Sequence, residues 1–415
     1  MITRLPLEDI RIIDFTWVLA GPHGTRLLAD MGAQVIKIES RAKLDAWRSL
    51  IAAREGVDDP TEEGSGMFQE ENRDKIGLCL NLKAPKGREI FKRLVKVSDV
   101  VTANFDPAGF KKLGLEWEKL REFNAGIIVV SMPGMGNWGP YSEFLSFGPN
   151  LQAMAGMINL TGYPGQEPVG VGTPLADHIG GVTLAMVILA ALEYRRKTGK
   201  GQFIDISQHE ATTSLLGSAL MDWAANSKMR DNHGNHHPAD GAAPHNCYKC
   251  KGDERWCVIS VASEKEWESF CDVLGNPEWT RVPKFSTHLN RLMNQEELDK
   301  LVESWTVNYS PEEIAEMMQQ ADVSAGVVQN IEDIIKHDSH LWDRGFLVNL
   351  KLPHPERKPP SIIVPGVITK LSGVSPPIHH PAPDRLGEDN DRVLKDILDM
   401  TQDEIEQATA EGAFE

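Results

Sequence analysis

An α/β fold with a parallel sheet is predicted by three features of the 415-residue chain. Short apolar runs with β-branched content recur through its first half, segments of helical spacing lie between them, and polar or glycine breaks separate the two. Strands that alternate with helices of this length pair in parallel and are covered on both faces.

The elements read in order. IRIIDFT is a strand, GPHG breaks it, TRLLADMG has helical spacing and ends on glycine, and AQVIKIE is a second strand. KGREIFKRLVKVSD is an amphipathic helix feeding VVTANF, and LEWEKLREFN feeds GIIVVSMPG. After Asp177 the run VTLAMVILAAL is apolar nearly all round, which predicts a buried helix. It ends at YRRKTGKG, where basic residues suit the negative end of the helix dipole and glycine stops the run. GQFIDIS and the segment after it add a strand and a helix.

Composition changes at residues 227–246, dense in Gly, Pro, Asn and His, as in a linker or mobile loop. CYKCKGDERWCVISVA then reads as a hairpin turning at Gly252-Asp253, followed by two helices. The chain thus divides into a large domain over 1–226, a linker with a small α+β domain over 227–330, and a Pro-rich return with closing helices over 331–415.

With 60 acidic and 43 basic residues the chain carries a formal charge of −17, which argues against a nucleic-acid binder. One small phosphorylated ligand needs only a local basic pocket. No stretch reaches the roughly 18 apolar residues of a membrane span, residues 182–192 being the longest candidate. The start, MITRLPLEDIRI, lacks a signal-peptide pattern, and five cysteines fit a reduced, cytoplasmic setting.

Three motifs invite chemistry. AGPHG between strand and helix, with Glu39 ending the next strand, imitates a dinucleotide site, but the glycine fingerprint is missing and Pro22 removes a backbone N–H. Cys247 and Cys250 near His233, His236, His237 and His245 suggest a metal site, yet a second CxxC is absent and hairpin residues three apart face opposite ways. No metal is expected. In GTPLADHIGG, Asp177 stands where an N-cap would stand, a role worth about 1 kcal/mol. The same place suits a nucleophile, because helix N–H groups favour a carboxylate and an oxyanion formed beside it.

Five blocks in one order decide between these readings: RIIDFTWVLAGPHGTRLLADMGAQVIKIES, NRDKIGLCLNLKAPKG, ANFDPAGFKKLGL, GTPLADHIGG and ALEYRRKTGKGQFIDISQHEA. Together with PAPDRLGEDNDRVLKDILDMTQDEI they resemble, over essentially the whole chain, the class III coenzyme A transferases of the formyl-CoA and carnitine-CoA type, including the benzylsuccinate branch. The resemblance implies a Rossmann-like large domain with a parallel sheet assembled from both chain ends, a small α+β domain, and two interlocked subunits, identical or related. It implies an acyl-CoA donor and a carboxylic acid acceptor as substrates, with coenzyme A thioester consumed rather than any cofactor held permanently.

Residue by residue, the resemblance makes Asp177 the nucleophile. It places Val18 in a loop facing the pantetheine arm and matches Lys75, Asn104, Phe105 and Lys112 to CoA-contacting positions, with Arg41 one place beyond a nucleotide-side arginine. Where the formyl-CoA type has a glutamine this chain has Leu19, with Trp17 two places earlier, and Met132, Pro133 and Met135 replace its lysine and tyrosine loop. These swaps strip polar groups from the acyl pocket, so unpaired oxalate charge would be costly there. A bulkier, partly apolar acid such as an aryl- or benzylsuccinate is expected, with succinyl-CoA as donor. Racemases of the same fold need a second base opposite the aspartate, and Phe147 occupies that site. A mainly structural subunit of a heteromer is the other alternative reading.

Overall fold

The structure is a computed structural model that describes residues 5–48, 65–230, 232–237, 239, 241–352, 360–374, 378 and 380–415. Strands β1 (Arg11–Asp14), β2 (Gln34–Glu39), β3 (Ile76–Cys79), β4 (Val100–Ala103), β5 (Ile128–Ser131) and β6 (Phe203–Asp205) form one sheet in the order β3-β2-β1-β4-β5-β6. Every neighbouring pair is parallel.

The strands are apolar because both faces are covered. Ile12, Val35, Val100, Ile128 and Val130 face α1 (Ala20–Ala29) and the long helix Leu175–Thr198. Ile13, Ile36, Val101 and Val129 face the other way, onto Ile90, Phe91 and Leu94 of the helix Pro85–Lys96 and onto Val393, Leu394 and Ile405 from the chain's end. Alternation at period two divides one strand between two cores. All six strands come from residues 11–205; the C-terminal end joins this domain through helices and the antiparallel pair β10 (Leu347–Lys351) and β11 (Ser361–Pro365).

Further helices complete the numbering: α2 (Gly66–Asn72), α3 (Pro85–Lys96), α4 (Pro107–Lys112), α5 (Gly148–Met154), α6 (Leu175–Thr198), α7 (Gln208–Thr213) and α8 (Gly217–Asn226). GPHG does not precede a helix as a break. It forms the first turn of α1, with Pro22 at its third residue, where no intrahelical N–H bond is lost. Helix α6 ends as predicted, on Gly199 at φ +73° after Arg195, Arg196 and Lys197. It is long and apolar enough to cross a membrane by length and composition, which corrects the shorter 182–192 estimate. Leu184, Ile188 and Ala191 nevertheless lie in the core of this domain.

The chain groups into two compact units: residues 1–158, 170–228 and 340–415, and residues 159–169 with 229–339. The sequence did not single out 159–169 as part of the second unit. That unit holds an antiparallel sheet of β7 (His245–Lys249), β8 (Trp256–Ser260) and β9 (Ser324–Val327) packed on helices. Cys250, Cys257 and Cys271 are buried in its core. Two of its histidines pair with other groups: His236 Nε2 lies 2.7 Å from Asp299 Oδ2, and His245 Nδ1 lies 2.8 Å from Ser260 Oγ.

Candidate active site

Asp177 is not the cap of its helix. Helix α6 starts two residues earlier, with Pro174 at the N-cap, so Asp177 is the third helical residue. The first turn is anchored instead from α5, where Gln152 Oε1 accepts the Ala176 N–H at 3.4 Å. The Asp177 carboxylate is half-buried and has no cation in salt-bridge range among the described residues. Burial pushes its pKa up from 3.8 to about 6, opposed only by a hydrogen bond from its own N–H.

One glycine makes room for this carboxylate. A Cβ at Gly148, the first residue of α5, would stand 2.0 Å from Asp177 Oδ2 and 3.0 Å from Pro174 Cβ. Gly180 and Gly181 serve a different purpose. A Cβ at Gly181 would meet the Ala20 carbonyl at 2.7 Å, so this glycine lets α6 and α1 cross with their backbones in contact. His178 turns toward α1, where its ring meets His23 edge to face at 4.7 Å. Burial and the neighbouring His23 lower the His178 pKa. Met135, Leu151 and Ala176, the neighbour of Asp177, form a small apolar cluster.

A second site opens at the carboxyl ends of β1 to β4. It is a cavity of about 380 Å³ lined by Phe15, Trp17, Glu39, Ser40, Lys43, Lys83, Phe105, Asp106 and Lys112, among others. The strand order turns back at the β1–β4 boundary, the place where open α/β sheets bind ligands. Trp17 and Phe105 meet edge to face at 5.0 Å, and Lys43 Nζ lies 4.8 Å from the Trp17 ring. Both carboxylates are already engaged: Glu39 holds Arg48 at 2.9 Å, and Asp106 caps α4 through the Gly109 N–H. The three lysine ammoniums have no carboxylate in salt-bridge range among the described residues. The cavity therefore presents net positive charge between aromatic walls, suited to a phosphorylated nucleotide.

The structure redistributes the sequence expectations. Trp17, Phe105 and Lys112 converge on this cavity. Lys75 does not reach it. Its three ammonium donors go to Asp14 Oδ2 at 3.1 Å, Asn72 Oδ1 at 2.9 Å and the Pro22 carbonyl at 3.2 Å, all buried. None is left for a phosphate. Lys83, missed by the sequence reading, faces the cavity instead. Lys75 precedes β3 and Lys83 follows it, and only the second place lies past a strand's carboxyl end. Arg41 is exposed and does not line the cavity, although its neighbours Ser40 and Ala42 do. Asn104 spends its amide on Trp17, accepting its N–H and donating to its carbonyl, both at 2.8 Å. Val18 belongs to the same turn.

Of the expected acyl-pocket residues, Met135 shares an apolar cluster with Ala176, the neighbour of Asp177. Met132 packs into the core beneath the sheet, Leu19 is buried at the start of α1, and Phe147 is 70% exposed just before Gly148. No base occupies the Phe147 position.

A doubly wound sheet with a cation-lined crevice and a separate, partly buried carboxylate fits the class of α/β enzymes that take nucleotide-bearing substrates. The profile of CoA-transferase family III matches residues 7–390, and the chain belongs to that family. It is 31% identical to the succinyl-CoA–D-citramalate CoA-transferase of Chloroflexus aurantiacus, with 96% of each chain covered. It is 32% identical to the beta subunit of that organism's succinyl-CoA–L-malate CoA-transferase, covering 97% of this chain and 96% of the other. Among solved structures, a CAIB/BAIF family protein from Brucella suis superposes with a TM-score of 0.84 at 26% identity, covering 95% of this chain and all of that one. The protein is a CoA-transferase, and its substrates are CoA thioesters.

Proposed function

We propose that this chain moves CoA from succinyl-CoA to a second carboxylic acid, with Asp177 as the covalent acceptor. The observation that carries the mechanism is the half-buried Asp177 carboxylate, poised against Gly148 with no cation in salt-bridge range among the described residues. The carboxylate attacks the donor thioester carbonyl, the C–S bond breaks, and CoA thiolate leaves behind a mixed anhydride. The thiolate then attacks the aspartyl carbonyl, giving an aspartyl-CoA thioester and free succinate. The acceptor carboxylate attacks that thioester, and the released thiolate takes the acceptor's acyl carbon from the second anhydride, restoring Asp177.

The nucleotide end of CoA is assigned to the cavity bearing Lys43, Lys83 and Lys112. Relatives named for succinyl-CoA support the donor. For the acceptor we propose a substituted dicarboxylate of the aryl- or benzylsuccinate kind, supported by the apolar cluster of Met135 and Leu151 at the nucleophile. A hydroxylated dicarboxylate is the second reading, favoured by relatives named for citramalate and malate. The lack of a base at Phe147 supports transfer over racemisation.

For the assembly we propose an interlocked pair of subunits, identical or related. Val182, Met186 and Leu189 are exposed at helical spacing along α6, and Leu220, Met221 and Trp223 are exposed on α8. Apolar stripes of this kind need cover. One relative is named as a beta subunit and another as an alpha subunit, which supports a related partner as the alternative.

Covalent trapping tests the reading. The protein is incubated with succinyl-CoA, quenched with hydroxylamine or borohydride, and the modified peptide is mapped by mass spectrometry. Modification at Asp177, abolished in Asp177→Ala, is the expected result; an unmodified Asp177 in an active preparation overturns the mechanism. A panel of acceptor acids then separates the two acceptor readings.

A further inference from the structure

Val18 adopts φ +64°, a left-handed conformation that a β-branched residue rarely takes. Such a conformation persists only where its surroundings over-determine it. Here they do. The Thr16 N–H and hydroxyl bond Asp14 Oδ1 at 2.8 and 2.6 Å, and Lys37 Nζ donates to the Thr16 carbonyl at 2.8 Å. Trp17 is held at both its backbone groups by Asn104. The Val18 N–H itself donates to both oxygens of Asp45, at 3.1 and 3.3 Å.

Asp45 is fully buried, accepts Trp47 N–H at 3.0 Å, and pairs with the buried Lys37 at 3.0 Å. The pair therefore grips the turn from two sides, Lys37 by the carbonyl of Thr16 and Asp45 by the N–H of Val18. The turn ends in Trp17, whose indole walls the lysine-lined cavity, and in Leu19, which leads into α1. A buried ion pair is a costly way to stabilise a fold, and fixing one backbone conformation is a better-suited use for it.

We propose that Asp45, backed by Lys37, is a positioning residue for acyl-CoA recognition: it holds Val18 in the left-handed conformation that sets Trp17 against the nucleotide cavity. This rests on the CoA-transferase reading of that cavity.

A four-corner cycle on the full-length enzyme tests it, using Asp45→Asn, Val18→Gly and the double variant. Asp45→Asn is expected to raise the acyl-CoA KM about tenfold, the effect of one charge-assisted hydrogen bond, with the acceptor KM shifted much less. Glycine takes a positive φ without being held there, so adding Val18→Gly to Asp45→Asn is expected to return most of that loss. An acyl-CoA KM unchanged in Asp45→Asn, or a loss that Val18→Gly does not relieve, overturns the proposal. If Asp45→Asn does not fold, Asp45→Glu takes its place in the cycle. Melting temperatures over the same four proteins read the Asp45–Val18 coupling without CoA, and additive shifts there also overturn it. Wild-type protein that binds no succinyl-CoA by calorimetry would instead show that the proposed succinyl-CoA reading had failed.

Discussion

Gly148 and Asp177 are in contact across two helix starts: a Cβ on Gly148 would lie 2.0 Å from Asp177 Oδ2. The glycine is the floor on which the carboxylate rests. Gly148→Ala should therefore displace the nucleophile while leaving the nucleotide cavity intact. The expected outcome is a fall in kcat of about a hundredfold, the cost of a small misplacement at the reacting atom, with the acyl-CoA KM nearly unchanged. Steady-state kinetics with succinyl-CoA, alongside circular dichroism to show the fold is kept, check it.

The pH dependence follows from the same carboxylate. The folded pKa of Asp177, about 6, stands above its ordinary 3.8 because burial disfavours the charge. The folded chain therefore keeps this proton to higher pH than the unfolded chain. The stabilisation from the protonated form is complete below about pH 4 and is lost as pH rises through about 6. Asp177→Asn should raise the melting temperature at about pH 8 and leave it nearly level at about pH 4. In activity, kcat/KM should fall below about pH 6 as the nucleophile takes up its proton. A melting-temperature gain that is equal at both pH values would count against the assignment.

Lys83 and Lys75 separate binding from stability. Lys83 is exposed and lines the cavity proposed for the nucleotide. Lys83→Ala should raise the KM for succinyl-CoA by about tenfold, and by much less for a substrate truncated to succinyl-pantetheine. Lys75→Met should leave a buried Asp14 without its salt-bridge partner, at a cost of about 3–5 kcal/mol, and so lower the melting temperature. Calorimetric unfolding and thioester kinetics on the two variants distinguish the effects.

The contrast between these lysines shows where the sequence was legible. Strand–helix alternation predicted the sheet because a strand buried on both faces must be apolar, and Ile12 and Ile13 illustrate this by entering opposite cores. The start of α6 was misplaced because Asp is a favoured cap, whereas Gln152, from a separate helix, anchors the first turn through Ala176. Lys75 looked like a phosphate ligand because a single sequence does not reveal that Asp14, sixty-one positions away, will claim its ammonium. Gly148 carried no local signal at all, since its partner is brought to it only by tertiary packing.

Three glycines near Asp177 should respond differently to alanine. Gly148 bears on the Asp177 carboxylate. Gly181 bears on the fold: its added Cβ would meet the Ala20 carbonyl at 2.7 Å, His23 Cδ2 at 2.8 Å and the Gly24 N at 3.0 Å. Two of these are backbone atoms of α1 and cannot swing aside. Gly181→Ala must push α1 from α6, at about 1–3 kcal/mol of overpacking, and lower the melting temperature. Gly180 faces only the Gln208 side chain, nearest at 3.2 Å, which can yield by a few tenths of an ångström. There the helical preference for alanine, up to about 1 kcal/mol, offsets the contact, and Gly180→Ala should melt close to wild type. Because α1 starts directly after the turn at Val18, the Gly181 variant should also raise the acyl-CoA KM, whereas the Gly180 variant should not. Melting curves and KM values for the pair test both halves, and equal behaviour of the two variants would mean that the α1–α6 crossing does not govern the site.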